Sequence, residues 1–211
     1  IKKLRTEVKP LDFSLVKQVV EQELCRPLES VFSEIQPDPL GSASIAQVHL
    51  AVLADGGRVV IKVQRPHIRE TMENDIHLLK KAAKIMKIAM GTGDLIDFHT
   101  ILDELWKTSQ EEMDFIREAD NLVRFYEHQK DIAYVTCPQV LTEFTTPRLL
   151  TMTYIDGIQI DHIDALRKAG YDMTEIGEKA AENYCKQILE DGFSTRTSSG
   201  ICGLREERLP G

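Results

Sequence analysis

The sequence predicts an α+β fold, and three observations carry that prediction. Two β-branched runs flank a Gly-Gly turn, two long stretches repeat an apolar residue every three or four positions, and strand character returns before a last pair of helical segments. A chain of 211 residues with 42% apolar content can bury a sizeable core in one or two domains. Its 26 basic and 34 acidic side chains leave a net charge of −8, which excludes the uniform basic field of a nucleic-acid or anionic-membrane binder and leaves room only for a local patch.

Residues 12–24 place Phe13, Val16, Val20 and Leu24 at helical spacing, a short amphipathic helix that stops before Pro27. Residues 1–30 therefore read as an N-terminal helical extension. The period then changes: 45–53 and 58–63 are rich in β-branched residues, and Ala54-Asp55-Gly56-Gly57 between them supplies a tight turn with positive-φ candidates, which makes a β-hairpin. Pro66 opens a long helix whose stripe is Ile68, Met72, Ile76, Leu79, Ala83 and Met86, with Gly91-Thr92-Gly93 as its end. A second long helix is expected from Phe98 to Gln129, burying Leu102, Leu105, Trp106, Met113, Ile116, Leu122, Val123 and Tyr126. Strands are expected across 134–144 and 148–155, around a break at Pro147. Asp156-Gly157 then turns the chain into helices near 161–169 and 173–190.

Cys25, Cys137, Cys185 and Cys202 are far apart, without CxxC spacing or a His at metal-ligand intervals, so they read as reduced, ordinary thiols and no metal site is assigned. No run approaches 18 apolar residues, so nothing in the chain is expected to span a membrane. The first residue is Ile, and the lack of an apolar leader says little about targeting.

Chemistry concentrates first at Gly41, Ser42, Ala43 and Ser44. Four small residues in a row let backbone N–H groups approach an anion, as a phosphate-covering turn requires, although any tight turn also favours them. The partner lies 21 positions after Gly41, where Val59-Val60-Ile61-Lys62 puts an ammonium on one face of the second hairpin strand, within reach of α- and β-phosphate oxygens. Such an ammonium needs a helical carboxylate to hold it. The segment 111–118 offers Glu112 and Glu118, and spacing does not choose between them.

The stretches PLGSASIAQVH (39–49), VVIKVQRP (59–66), EEMDFIREADN (111–121) and LLTMTYIDG (149–157), in that order, resemble the UbiB/ADCK family of atypical kinases, with the match running from about residue 10 to 192. The resemblance implies a kinase-like small lobe and hinge over 31–155, made of antiparallel strands and two long helices, and the start of a truncated helical large lobe over 156–192. It implies that Lys62 contacts phosphate, that Glu112 pairs with it, and that Glu118 and Asn121 support the same region. It places Val48 over the adenine, Met152 at the gatekeeper position, and Thr153, Tyr154 and Ile155 as hinge backbone. The family's Ala/Ser-rich loop is present here with Gly41 at a position often filled by Ala.

Two family features are missing. The KxGQ helical motif would lie before residue 1, and the segment after LEDGF, where the family places His-Ala-Asp, then Asn and Asp-x-Gly, reads Phe193-Ser194-Thr195-Arg196-Thr197-Ser198-Ser199. After Asp191 the chain has neither Asp nor Asn, and Mg²⁺ in phosphoryl transfer depends on such groups, so this polypeptide is expected to be catalytically incomplete. The residues 193–211 are expected to be a disordered or loosely packed tail outside the domain. Codons TCC ACG CGG ACC for Ser194–Thr197 would read CAC GCG GAC, His-Ala-Asp, in another frame, and the nucleotide sequence tests this. By resemblance, ATP or ADP with Mg²⁺ is the expected ligand set, and ATP-dependent phosphoryl transfer or hydrolysis in support of isoprenoid quinone (ubiquinone) biosynthesis is the expected function. Partners would be quinone-biosynthesis proteins or a lipid surface, at a cytoplasmic location peripheral to a membrane. A non-enzymatic nucleotide-binding scaffold is the alternative.

Overall fold

The computed structural model describes residues 8–90, 98–132, 134–158, 162–189 and 203–204. The expected helix end at Gly91–Gly93 and most of the 193–211 tail lie outside them.

The first helix, α1 (Phe13–Leu24), begins where Asp12 accepts the Ser14 N–H and hydroxyl, and ends at Cys25 in the left-handed region. Val16, Val19 and Val20 bury its inner face. A 3-10 turn at Leu28–Ser30 leads into β1 (Phe32–Ile35), and β2 (Gly41–Ser42) precedes the hairpin of β3 (Ala46–Leu53) and β4 (Arg58–Gln64). Neither β1 nor β2 is evident from the sequence pattern; both are short and flank the long β3. The hairpin turn is as expected: Gly56 takes a φ of 91°, and Asp55 accepts the Gly57 N–H. The sheet runs β1-β3-β4-β6, where β6 is Leu149–Thr153, with β2 also paired to β3.

Alternation along the hairpin sorts its side chains. Gln47, His49, Ala51 and Leu53 of β3 lie buried with Val59, Ile61 and Val63 of β4, while Val48 and Lys62 are half-buried on the opposite face. The strands are followed by α2 (Ile68–Met90), α3 (Phe98–Glu112) and α4 (Phe115–Gln129). The single helix expected over 98–129 is thus two helices. Asp114 accepts the N–H groups of Ile116 and Arg117 and starts α4 as its N-cap, and a capped start ends the preceding helix. The expected stripes are only partly covered: Ile76, Ala83, Met113 and Leu122 are buried, whereas Leu79, Met86, Leu105, Ile116 and Val123 are exposed.

The chain divides into two compact units, Ile1–Glu118 with Thr142–Thr151, and Ala119–Leu141 with Met152–Gly211. The second contains β5 (Val135–Thr136), α5 (Ile163–Lys168), α6 (Met173–Leu189) and β7 (Gly203–Leu204). The long strand expected over 134–144 shrinks to β5 and a 3-10 turn at Thr142–Phe144 because Pro138 interrupts the ladder. Inside this unit Asn183 donates to Gln129 and Gln187 donates to Asn183, a buried amide chain joining α4 and α6. Gly203–Leu204, the described residues of 193–211, pairs antiparallel with β5.

Candidate functional site

The first unit holds a row of three residues across the sheet. Gly41 of β2 faces Val48 of β3, and Val48 faces Lys62 of β4. Neighbouring strands lie about 4.8 Å apart, so the row spans about 10 Å, and directly opposed side chains project from one face. Gly41 has nothing within 4 Å of where a Cβ would sit, which leaves that end of the row open.

Lys62 is held by a carboxylate. Its Nζ donates to Glu118 Oε1 at 2.9 Å and to Oε2 at 2.6 Å, and it stands 4.8 Å from the centre of the buried Phe115 ring. The partner is Glu118 and not Glu112, which corrects the pairing implied by the resemblance. Glu112 is the exposed last residue of α3, on the far side of the Met113–Asp114 break, whereas Glu118 lies in the first turn of α4. Three contacts fix that turn. Gln64, buried at the end of β4, donates to Met113 O at 2.7 Å, Phe115 N donates to Pro147 O at 3.3 Å, and Arg117 pairs with Glu111 at 2.9 Å. An acidic residue in the first turn is also favoured by the helix dipole.

The small-residue turn is the link between β2 and β3. Ala43 N donates to Ala46 O at 2.9 Å, closing a tight loop, and the amides of Ser44 and Ile45 have no acceptor among the described residues. Ser42 Oγ stands 3.5 Å from Gln47 Oε1 and accepts from Arg65 Nη2 at 2.8 Å. Ala43 and Ser44 are exposed. Gly41, Ser42, Ala43, Ser44, Val48, Lys62 and Glu118 are therefore grouped around the β2–β3–β4 edge of one unit.

In the second unit Met152 is buried and bridges to Val140, while Thr153 exchanges two hydrogen bonds with Gln139: its N–H donates to Gln139 O, and its Oγ1 accepts from Gln139 N, both at 2.9 Å. Tyr154, Ile155 and Asn121 are half-buried.

Sequence reasoning missed the polar residues behind the turn. Gln47 and His49 are fully buried. His49 Nδ1 faces Gln36 O at 2.8 Å, which makes Nδ1 the protonated nitrogen and Nε2 the acceptor of Gln47 Nε2–H, also at 2.8 Å. Gln47 Oε1 then accepts the Leu11 N–H at 2.8 Å. Burial pushes the His49 pKa below its ordinary value, against the smaller opposing effects of the Gln36 carbonyl and Asp38. The signal was two polar residues at alternate positions on the inward side of a strand.

Among the described residues no group of three or more His, Cys, Asp or Glu side chains could hold a metal ion, and no helix is long and apolar enough to cross a membrane.

A family model described as the ABC1 atypical kinase-like domain matches residues 3–196. The chain is 35% identical over 195 residues to the protein named Activity of BC1 complex kinase 8, chloroplastic, of Arabidopsis thaliana, covering 92% of this chain and 26% of the relative. It is 34% identical over 191 residues to a probable protein kinase UbiB of Shewanella baltica, covering 90% of this chain and 35% of the relative. The solved structure of Rv3197 with erythromycin, from Mycobacterium tuberculosis, superposes with a TM-score of 0.61 at 28% identity, over 74% of this chain and 38% of that one. The chain thus spans about a third of the length of these relatives.

Proposed function

The chain belongs to the ABC1 atypical kinase-like family, and from that premise we propose that it binds the phosphates of ATP or ADP at the β2–β3–β4 edge, with Lys62 as the phosphate-contacting cation. The observation that carries this reading is the Lys62–Glu118 pair on the open row that starts at Gly41. An ammonium gripped by both oxygens of one carboxylate keeps a fixed position and still offers charge to a phosphate oxygen. The uncommitted amides of Ser44 and Ile45 supply what an anion seeks from a tight turn of small residues.

Each residue has a physical task in this proposal. Lys62 attracts and orients α- and β-phosphate oxygens, Glu118 fixes Lys62, and Gly41 leaves room at the edge of the turn. Adenine recognition is proposed for Val48 in the first unit, and backbone around Met152, Thr153, Tyr154 and Ile155 in the second unit keeps the role that the resemblance implies. Because Thr153 N–H already donates to Gln139 O, it is not one of the adenine donors. ATP with Mg²⁺ supplies the transferable phosphoryl group and the charge neutralisation that its transfer needs. Among the described residues no group of carboxylates offers Mg²⁺ a seat, and residues 192–211 contain neither Asp nor Asn, so no Mg²⁺ ligand is proposed within this stretch. Thermal shift with Mg·ATP tests the binding. At about 100 times Kd, saturation adds roughly 2.7 kcal/mol of apparent stability. Lys62→Ala should remove most of that shift, and an equal shift in wild type and variant would rule out the phosphate assignment.

For the whole protein the proposal is an ATP-dependent role in isoprenoid quinone biosynthesis, in keeping with relatives named as probable protein kinase UbiB. Quinone content after deletion of the parent gene tests it, with unchanged content as the contrary result. Peripheral contact with a lipid surface is proposed on the exposed Leu78, Ile85 and Met86 of α2, flanked by exposed Lys81 and Lys84. Co-sedimentation with anionic but not neutral vesicles is expected, and no sedimentation with either refutes it.

A further inference from the structure

Arg65, the residue after β4, touches the small-residue turn from two directions. Its main-chain N–H donates to Ile45 O at 2.9 Å. Its guanidinium reaches the other arm of the turn: Nε donates to Ala43 O at 2.8 Å and Nη2 to Ser42 Oγ at 2.8 Å. Residues 42, 43 and 45 are thereby held on both sides of Ser44. The same Nη2 donates to Lys9 O at 3.0 Å, in the segment before α1. Two residues further on, Leu11 N–H is accepted by the buried Gln47, which also faces Ser42 Oγ. The segment 9–11 and the turn are therefore joined by two bridges, one through Arg65 after β4 and one through Gln47 of β3.

Resting on the nucleotide reading above, we propose that Arg65 is the positioning residue of the phosphate turn, clamping Ser42 and Ala43 to the 9–11 segment so that the amides of Ser44 and Ile45 stay aimed outward for phosphate. Arginine suits the task because its donors lie in one rigid plane and can serve a carbonyl, a hydroxyl and a second carbonyl at once. Lysine offers a single ammonium centre and cannot reproduce the fork. Arg65 touches no phosphate in this account; it acts through the turn. Docking of the 9–11 segment and closure of the turn become one event, since the guanidinium loses a partner when either leaves.

Full-length Arg65→Ala and Arg65→Lys chains test this by two readouts. Without nucleotide, amide hydrogen exchange over residues 41–46 should accelerate by about tenfold in both variants while exchange in the centre of β3 and β4 stays as in wild type. With nucleotide, Mg·ATP affinity should fall by about tenfold in both, and millimolar guanidinium should restore it in Arg65→Ala but not in Arg65→Lys. Unchanged exchange at 41–46 would overturn the clamp whether or not nucleotide binds. Faster exchange with undiminished affinity would overturn the positioning role. If wild type takes up no Mg·ATP, the nucleotide reading fails, and a positioning role for phosphate fails with it even where exchange supports the clamp.

Discussion

Replacing Glu118 by Gln tests the centre of the site without changing its shape. Both Glu118 oxygens lie within 3 Å of Lys62 Nζ, and the two side chains are 19% and 22% exposed. At such a separation an effective dielectric constant near 20 gives a gross attraction of about 5 kcal/mol, most of which is offset by the cost of removing both charges from water. Pairs of this kind fall between exposed ones, worth up to about 1 kcal/mol, and buried ones, whose disruption costs about 3–5 kcal/mol. The expected loss for Glu118→Gln is therefore about 2 kcal/mol, softened by the Phe115 ring that still faces the ammonium. In a chain of this size it lowers Tm by about 4–8 °C. Glu112→Gln should stay within about 0.5 kcal/mol of wild type, because Glu112 is exposed at the end of another helix. Urea denaturation of wild type, Glu118→Gln, Lys62→Met and the double variant gives the coupling energy directly. Additive single effects, or a Glu112→Gln loss equal to that of Glu118→Gln, would refute the pairing.

Three further predictions follow from the same geometry. Gly41→Val should leave Tm nearly unchanged, since its Cβ would meet nothing within 4 Å, yet weaken Mg·ATP binding by about tenfold as its branches crowd the open end of the row; calorimetric titration decides. Asp114→Ala should cost about 1 kcal/mol by uncapping α4, and if urea melts show no loss the Asp114 cap does not hold the helix start. His49 has a folded pKa below its ordinary 6.5, so its contribution is complete above about pH 6.5 and declines as pH falls toward the folded value. Stability measured from pH 7.5 to 5 should fall more steeply for wild type than for His49→Gln, and equal slopes would contradict the buried neutral imidazole.

The hairpin was legible because β-branched alternation and a Gly-Gly turn point to the same structure, and the same holds for α1, where an apolar stripe at helical spacing stops before Pro27. The α3–α4 break was not legible from periodicity, since Met113 and Ile116 continue the three-residue step across it. The sign available was Asp114 as a capping residue, and it decides which glutamate meets Lys62. The exposed Leu79, Met86 and Leu105 show the limit of stripe reading: a 3.6-residue period says that a face is apolar but not what covers it. Gln47, His49, Gln64 and Arg65 were invisible as site residues because their work depends on hydrogen bonds to segments 13 to 56 residues away in the chain, such as Lys9, Leu11, Gln36 and Met113.

The most direct measurement is a crystal structure of the chain with a non-hydrolysable ATP analogue. The account predicts Lys62 Nζ within about 3 Å of an α- or β-phosphate oxygen while still bonded to Glu118, with the 42–45 turn over the phosphates. An analogue bound elsewhere, or Lys62 turned wholly away from its phosphates, would contradict it.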